Sequence, residues 1–313
     1  MNIKFSKKAN GKLLLSGEYL VLNGAKALAV PLKFGQQISV DSSDEDAVIN
    51  WKSTVNGNTW FAATFCLQTL KLKNTTDTVI ATELLKILQA AFLLSPDFIK
   101  NQKKGLNIYI EANYPLQWGL GSSSTLIYLI ASWLGIDKFQ LYSKVSNGSG
   151  YDVACAAAAN PLFYQLIENK AVITSAGIGT AIKNHAVFAW LGKKQNSRKE
   201  VENYIKTNNA TSSQINRISE LSEAMCHTTS AKELINIIKE HEQILSEILK
   251  RESIAKLNFP DFDGGIKSLG AWGGDFAMFV SEKSNIRLKE ELKTMGFDVI
   301  FCYDEIITNT DTL

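Results

Sequence analysis

Apolar and polar positions follow two distinct periods along this chain, one typical of strands and the other of helices. Alternating or continuous apolar stretches predict strands at 13–15, 27–31, 34–40, 48–55, 59–65, 106–111, 185–191 and 298–303. Apolar positions at helical spacing predict helices at 78–94, 123–134, 138–145, 200–206, 213–226, 231–251 and 286–295. The pair Asn56-Gly57 stands between two of the strands and is a strong signal for a β-hairpin.

Three glycine-rich loops separate these elements. The first, 115–125, follows the strand at 106–111 and opens the helix at 123–134. The second, 146–150, leads into a short helix that has Asp152 at its start. The third contains Gly270, Gly273 and Gly274 and lies between two apolar segments. Because glycines allow close approach of the backbone to other groups, these loops are the places where we expect chemistry.

The first loop has the composition of an anion site. Gly119 and Gly121 tolerate a positive φ, and Ser122, Ser123, Ser124 and Thr125 place hydroxyl groups at a helix start. The unpaired N–H groups and partial positive charge of a helix N-terminus favour phosphate there. The alternative is an ordinary loop with a capping serine. No Lys-Ser or Lys-Thr follows the glycines, so the loop is not a Walker P-loop, and it lacks the third glycine of a dinucleotide fingerprint.

Two charged residues have both an ordinary and a chemical interpretation. An Asp at a helix start is most often an N-cap, but a carboxylate beside a glycine loop is also where a catalytic base could lie, so both roles stay open for Asp152. A lone Lys such as Lys12 is most often a solvated charge at a strand end. His185, His227 and His241 show no metal-ligand spacing.

Composition narrows the classes of protein that remain. The chain has 313 residues, a net charge of +2 and no basic block, which argues against a nucleic-acid or membrane partner. Its length predicts two domains or one large one. Cys66, Cys155, Cys226 and Cys302 form no CxxC pair and are expected to be free thiols. No apolar signal segment or membrane-spanning run is evident, so we expect a cytoplasmic protein.

Three ordered motifs give the chain a specific resemblance. Gly-Lys-strand-Gly-Glu-Tyr spans 11–19, Gly-Leu-Gly-Ser-Ser spans 119–123, and Gly-Ala-Trp-Gly-Gly-Asp spans 270–275. Together they resemble the GHMP kinase superfamily over nearly the whole chain, and most closely its mevalonate kinase and phosphomevalonate kinase branch. The resemblance implies an α+β, two-domain fold. A domain like ribosomal protein S5 domain 2 is expected at 1–180, and a ferredoxin-like domain at 181–313.

The resemblance also implies an activity, namely ATP-dependent phosphoryl transfer with Mg²⁺. It implies that Asp152 takes or orients the proton of the attacking group and that Lys12 holds the charge of that group. A serine hydroxyl, that of Ser123, is expected on Mg²⁺. The positions implied to bind ATP are Trp118, Gly119, Leu120, Gly121, Ser122, Ser123 and Ser124. Phosphoryl transfer depends mainly on charge neutralisation and in-line placement, which agrees with these assignments.

The expected acceptor is small and anionic, similar to mevalonate or phosphomevalonate, which would place the protein in isoprenoid biosynthesis. The positions implied to bind it are Glu18, Tyr19, Ser149, Gly150, Lys194, Ser197, Arg198, Gly270, Gly273, Gly274 and Asp275. We expect a monomer or homodimer.

The chain departs from the pattern of the superfamily at several positions. Trp118 and Trp272 replace small residues, Leu141 replaces a Mg²⁺-binding Glu, and the connection from Ser123 to Asp152 is shorter than in mevalonate kinase. We therefore expect both indoles near the nucleotide. The alternative function is a degenerate nucleotide-binding protein with a regulatory or structural role.

Overall fold

The computed structural model describes residues 4–102, 104–207 and 209–308. The strands are β1 (Phe5–Ser16), β2 (Ala27–Ser42), β3 (Val48–Val55), β4 (Asn58–Cys66), β5 (Leu72–Thr75), β6 (Leu106–Ala112), β7 (Leu162–Ile167), β8 (Lys170–Ser175), β9 (Ala186–Trp190), β10 (Gly265–Leu269), β11 (Phe276–Val280) and β12 (Ile300–Cys302). Strands and helices mix along the chain, as predicted for an α+β fold.

The helices occupy the stretches between these strands. They are α1 (Thr78–Leu94), α2 (Pro96–Asn101), α3 (Ser122–Leu134), α4 (Lys138–Val145), α5 (Tyr151–Ala157), α6 (Thr180–His185), α7 (Ser197–Thr207), α8 (Ser212–His227), α9 (Ala231–Leu249), α10 (Ile254–Asn258), α11 (Asn285–Thr294) and α12 (Tyr303–Ile306). Short 3₁₀ helices lie at Leu20–Asn23 and Leu116–Trp118. No helix in the described ranges combines the length and apolar character needed to cross a bilayer.

The chain divides into two compact units that are not single stretches of sequence. Unit 1 comprises 1–11, 34–116 and 120–157, and unit 2 comprises 12–33, 117–119 and 158–313. Strands β1 and β2 therefore contribute to both units, and the glycine-rich loop passes from unit 2 to unit 1 after Gly119. The boundary at residue 180 that we expect from the resemblance stays a prediction about domain organisation.

Unit 1 contains a sheet and the helices that cover its apolar side chains. The second half of β2 pairs antiparallel with β6, β6 pairs parallel with β3, and β3 and β4 form the predicted hairpin. Asn56 and Gly57 take φ values of +48° and +80°, as this tight turn requires. The apolar stripe of α1 packs into the same core as Ile108, Ile130 and Leu141. The glycine-rich loop that precedes α3 thus follows directly from a strand in this sheet, β6.

Unit 2 contains an antiparallel sheet in the order β10-β11-β9-β12. Its core joins Val187, Ala277, Phe279 and Leu288 with neighbouring apolar residues. The third glycine loop connects β10 to β11. Because both strands are fully buried and paired, the two ends of this loop are held in place.

Some predicted elements differ from the observed ones. A single strand, β2, replaces the separate strands expected at 27–31 and 34–40. Pro31 lacks an N–H, but its carbonyl still accepts a hydrogen bond from the Thr308 N–H at 2.9 Å, so the strand continues through it. The hairpin of β7 and β8 was not predicted. Every residue of β8 is exposed. The strand therefore has no buried face that would alternate with an exposed one.

Candidate functional site

The start of α3 is the candidate site in unit 1. Gly121 is the N-cap residue with φ +93°, and no side chain caps the helix. The N–H groups of Ser124 and Thr125 bond to the Gly121 carbonyl at 3.1 and 3.0 Å, which closes the first turn. The three serines therefore lie within the helix, and none is the capping residue that the ordinary interpretation required. Ser123 is exposed and Ser124 is buried.

Asp152 lies beside this helix start. It is the second residue of α5, so it is not the N-cap that we considered. Its carboxylate accepts hydrogen bonds from the Ser124 hydroxyl and from the Val153 N–H, the latter at 3.0 Å. The half-buried carboxylate is thus fixed next to the serine loop. This contact joins two segments that sequence alone linked only through the resemblance.

Leu141 lies elsewhere in unit 1. Its side chain is completely buried in the unit 1 core. No metal could be bound through this position without opening that core. Gly150 precedes α5 with φ +90° and is buried, while Ser149 is partly exposed.

Gly119 is the centre of the candidate site in unit 2. Its carbonyl accepts a hydrogen bond from Lys12 Nζ at 3.3 Å. Its φ is +71°, and a Cβ built on it would lie 2.0 Å from Oδ2 of Asp275. The main chain at Gly119 thus lies directly against the Asp275 carboxylate, an approach that only glycine allows. Lys12, Gly119 and Asp275, predicted from three separate motifs, come together here.

Asp275 is buried at the end of the third glycine loop. Its Oδ1 accepts a hydrogen bond from the Gln195 N–H at 2.6 Å. Burial raises the pKa of Asp275, while the Gln195 N–H and the cations of Lys12 and Lys194 act in the opposite direction. Gln195 also donates from Nε2 to the Gly273 carbonyl at 3.3 Å. We did not predict Gln195, whose only signal was its place in the basic loop 192–198.

Glu18 and Tyr19 are buried instead of facing solvent. Glu18 is 2% exposed, and its Oε1 accepts a hydrogen bond from Lys267 Nζ at 2.8 Å. The Tyr19 hydroxyl accepts a hydrogen bond from the Trp272 N–H at 2.7 Å. Burial raises the pKa of Tyr19 to about 12, so this hydroxyl stays neutral. These positions favour a structural role over the direct acceptor contact that we expected.

Lys267 has a second carboxylate partner, so one ammonium group faces two acids. Glu242 Oε1 lies 3.3 Å from Lys267 Nζ. Burial raises the pKa of Glu242 to about 7, against the opposing effect of Lys267. Burial also raises the pKa of Glu18. His241 lies 3.5 Å from Glu18, and burial and the nearby Lys267 lower its pKa, so it is neutral and accepts a hydrogen bond from the Gly17 N–H.

The two tryptophans occupy different environments. The Trp118 ring packs edge-on against Phe276 and Phe301, with centroid distances of 6.2 and 5.6 Å, and remains partly exposed. The Trp272 indole is 2% exposed and donates to the Glu252 carbonyl at 3.1 Å. Trp272 thus offers almost no surface to a ligand, which argues against the nucleotide contact that we predicted for it. For Trp118 that contact stays a prediction.

Of the remaining predicted acceptor residues, Lys194, Ser197 and Arg198 lie on the surface of unit 2, Gly270 and Gly273 are partly exposed, and Gly274 is buried. Lys194 and Arg198 are exposed, and Ser197 begins α7. A cavity of about 240 Å³ adjoins the third glycine loop at Trp272 and Gly273. A larger cavity of about 530 Å³ lies between α9 and β10 and contains none of the predicted site residues.

No protein-family model matches the chain, and no curated protein matches it significantly. Solved structures match it over almost its full length. The phosphomevalonate kinase of Streptococcus pneumoniae, in complex with phosphomevalonate and AMPPNP, is 16% identical with a TM-score of 0.69 over 95% of this chain and 99% of that one. The mevalonate kinase of Methanococcus jannaschii is 16% identical with a TM-score of 0.66 over 95% and 96%.

A third match acts on a different class of acceptor. The D-glycero-D-manno-heptose 1-phosphate kinase of Bacteroides thetaiotaomicron is 14% identical with a TM-score of 0.60 over 96% of this chain and 95% of that one. The predicted fold is therefore confirmed, and the chain has the GHMP kinase fold. Because kinases of a sugar phosphate and of mevalonate share it, the fold leaves the acceptor open.

Proposed function

We propose that this protein is an ATP-dependent kinase that transfers the γ-phosphoryl group to a hydroxyl or phosphate oxygen of a small anionic acceptor. The observation that supports this most directly is the hydrogen bond from the Ser124 hydroxyl to the Asp152 carboxylate. This bond joins the Asp152 carboxylate to the first turn of a glycine-led helix, where phosphate groups are favoured, and so supports Asp152 as the base.

The triphosphate of ATP would be bound by the loop from Trp118 to Ser124. Gly119 and Gly121, with φ values of +71° and +93°, let the backbone approach the phosphates. The N–H groups of Ser122 and Ser123 open α3 and would donate to phosphate oxygens. Leu120 is buried and anchors the loop in unit 1. One solved structure with this fold is a complex with AMPPNP, an ATP analogue, which supports ATP as the donor.

Mg²⁺ would be bound through oxygen atoms at this helix start. The exposed hydroxyl of Ser123 is an oxygen ligand of the kind that Mg²⁺ accepts, and phosphate and water commonly complete its shell. No group of three or more His, Cys, Asp or Glu side chains in the described part of the chain could hold a metal alone. The residues therefore fit a Mg²⁺ that arrives with ATP, where it would neutralise charge on the phosphates.

Asp152 and Lys12 would activate the acceptor. Asp152 would accept the proton of the attacking hydroxyl, and the Ser124 hydroxyl orients its carboxylate. Lys12 would stabilise the negative charge that develops on the attacking oxygen. Its ammonium group is held by the Gly119 carbonyl at 3.3 Å, so it is already directed at the loop that would bind phosphate.

The acceptor would carry a carboxylate or phosphate, as mevalonate and phosphomevalonate do. Lys194 and Arg198 are exposed cations on a segment that Gln195 ties to Asp275 and Gly273. Exposed cations with Ser197 beside them suit an anionic acceptor. Ser149 and Gly150 next to Asp152, and Gly270 and Gly274 beside Asp275, are further candidates for contact with it.

The competing proposal is a nucleotide-binding protein without catalysis. It is favoured by Leu141, which is buried in the core at the position where the resemblance expects a metal-binding Glu. Release of ADP in the presence of mevalonate, phosphomevalonate, homoserine or sugars separates the two proposals. Binding of ATP–Mg²⁺ without turnover of any acceptor supports the binder.

The variant Asp152→Asn tests the assigned base, with Asp137→Asn as the matched control. Asp137 is a true N-cap, since its carboxylate accepts the Gln140 N–H at 2.8 Å, and Asn caps about as well as Asp. Asp152→Asn should keep ATP binding but lose about 10²- to 10⁴-fold in turnover, the usual contribution of a general base. Asp137→Asn should keep full turnover. Full activity of Asp152→Asn would show that the carboxylate is not the base.

A further inference from the structure

Unit 2 encloses four ionisable side chains that the proposed chemistry does not use. Glu18, His241, Glu242 and Lys267 are all buried, and Lys267 is 0% exposed. Among the described residues, Oε2 of Glu18 and Nδ1 of His241 have no hydrogen-bond partner. Removing such groups from water is costly, and apolar side chains of the same size often stabilise a protein at least as well. The cluster therefore calls for an explanation other than stability.

The cluster binds main-chain groups of two segments. Lys267 Nζ donates to the Ser268 carbonyl at 3.1 Å, and the Ser268 N–H donates to Glu242 at 3.4 Å. On the other side, the Gly17 N–H donates to His241 at 3.1 Å. The Glu18–Lys267 ion pair joins the turn 17–19 to the end of β10. The third glycine loop, 270–275, begins at that end.

Tyr19 fixes the middle of the same loop. Its hydroxyl accepts the Trp272 N–H at 2.7 Å, and its ring packs on Tyr204 with a centroid distance of 5.3 Å. Tyr19 has φ +61° and ψ −50°, a conformation that an L-residue keeps only when its surroundings impose it. Such strain concentrates at functional sites. Here it directs the Tyr19 hydroxyl to a main-chain donor of the loop.

We propose that Glu18 and Tyr19 are positioning residues that hold the glycine loop 270–275, and with it the Asp275 carboxylate, in place against Gly119. This rests on the proposed function, because Gly119 and Asp275 belong to the proposed phosphoryl-transfer site. Asp275 lies so near Gly119 that a Cβ there would overlap it, so a small shift of the loop changes the backbone that meets phosphate. Glu18 and Tyr19 then act through the loop and do not touch substrate.

The test compares Tyr19→Phe with Tyr204→Phe in the full-length protein. Each change removes one tyrosine hydroxyl, but the Tyr204 hydroxyl donates to Asn23 Oδ1 and not to the loop. Hydrogen exchange measured by mass spectrometry over 268–276, ATP affinity and turnover are recorded for both variants. We expect faster exchange in this segment and about a 10-fold loss of kcat only in Tyr19→Phe, since small misplacements at a reacting centre are costly. Equal exchange and kcat in the two variants would overturn the proposal.

A second pair of variants keeps the proposal testable at Glu18. Glu18→Gln retains an oxygen acceptor, and Glu242 remains to balance Lys267. Glu18→Ala retains neither oxygen. The proposal expects slower exchange over 268–276 and higher kcat in Glu18→Gln than in Glu18→Ala, and equal values in both would contradict it. If the wild type turns over no acceptor, the proposed function fails, and the exchange data alone still decide whether Glu18 and Tyr19 hold the loop.

Discussion

The contact between Gly119 and Asp275 gives the sharpest test of the site in unit 2. In Gly119→Ala the new Cβ would lie 2.0 Å from Oδ2 and 2.2 Å from Cγ of Asp275. Asp275 is buried and held by the Gln195 N–H, so it cannot move aside without losing that bond. We expect the substitution to destabilise the protein and to weaken ATP binding.

The magnitude separates into two contributions. A non-glycine residue at φ +71° costs about 1–2 kcal/mol. Loss of a hydrogen bond to a charged group adds about 1.5–3 kcal/mol. The sum predicts that Gly119→Ala lowers the free energy of unfolding by roughly 2.5–5 kcal/mol. Gly135 provides the matched control, because it has φ +65° and nothing within 4 Å of its built Cβ. Gly135→Ala should therefore cost only the first contribution.

Equilibrium urea unfolding of both variants measures these free energies. A double variant that combines Gly119→Ala with Asp275→Ala removes the two shortest contacts, those with Oδ2 and Cγ, and leaves only the Asp275 Cβ at 2.8 Å, so its two changes should be clearly non-additive. If Gly119→Ala costs no more than Gly135→Ala, or if Asp275→Ala gives no relief, the close approach does not exist in solution. Titration with ATP then shows whether the same contact matters for the nucleotide.

Three further predictions follow from individual residues. ATP with Mg²⁺ should raise the melting temperature, because a ligand that binds only the folded state stabilises it; an unchanged melting temperature at millimolar ATP would count against any nucleotide site. Burial raises the pKa of Glu242 from 4.5 to about 7 in the folded protein, so the wild type loses stability as the pH rises between these two values. The free energy of unfolding of Glu242→Gln, relative to that of the wild type, should therefore increase by roughly 1–3 kcal/mol from pH 5 to pH 8. Glu247→Gln, on the exposed face of α9, is the control and should show no such change. Iodoacetamide should label Cys66 before Cys226. Hydrogen bonds from Thr69 lower the pKa of Cys66, whereas burial raises the pKa of Cys226 to about 12. Mass spectrometry of the labelled peptides gives the order, and earlier labelling of Cys226 would contradict the prediction.

Several elements could be predicted from sequence because short-range forces determine them. The bounds of α1 and α4 agree with the predicted ones. Apolar side chains at helical spacing form one stripe along a helix, and burying that stripe requires only that some neighbouring element covers it. Asp137 caps α4 and Gly135 ends α3, as local chain geometry requires. The Asn56-Gly57 turn determined its hairpin for the same reason. The three ordered motifs were enough to indicate the GHMP kinase fold, which the solved structures confirm.

Contacts between distant residues were decided only by the tertiary structure. Glu18 and Lys267 are 249 residues apart, and no local pattern says that they form a buried pair. The signal that was present, a Lys within the short strand Gly-Ile-Lys-Ser-Leu of β10, indicates a buried partner but does not identify it. Asp152 likewise had the appearance of an N-cap until packing placed it beside Ser124. The sequence of each segment determines which helix, strand or turn it can form. Which distant residues pair depends on the packing of the whole chain, because each buried charge or hydrogen-bond donor needs a partner there.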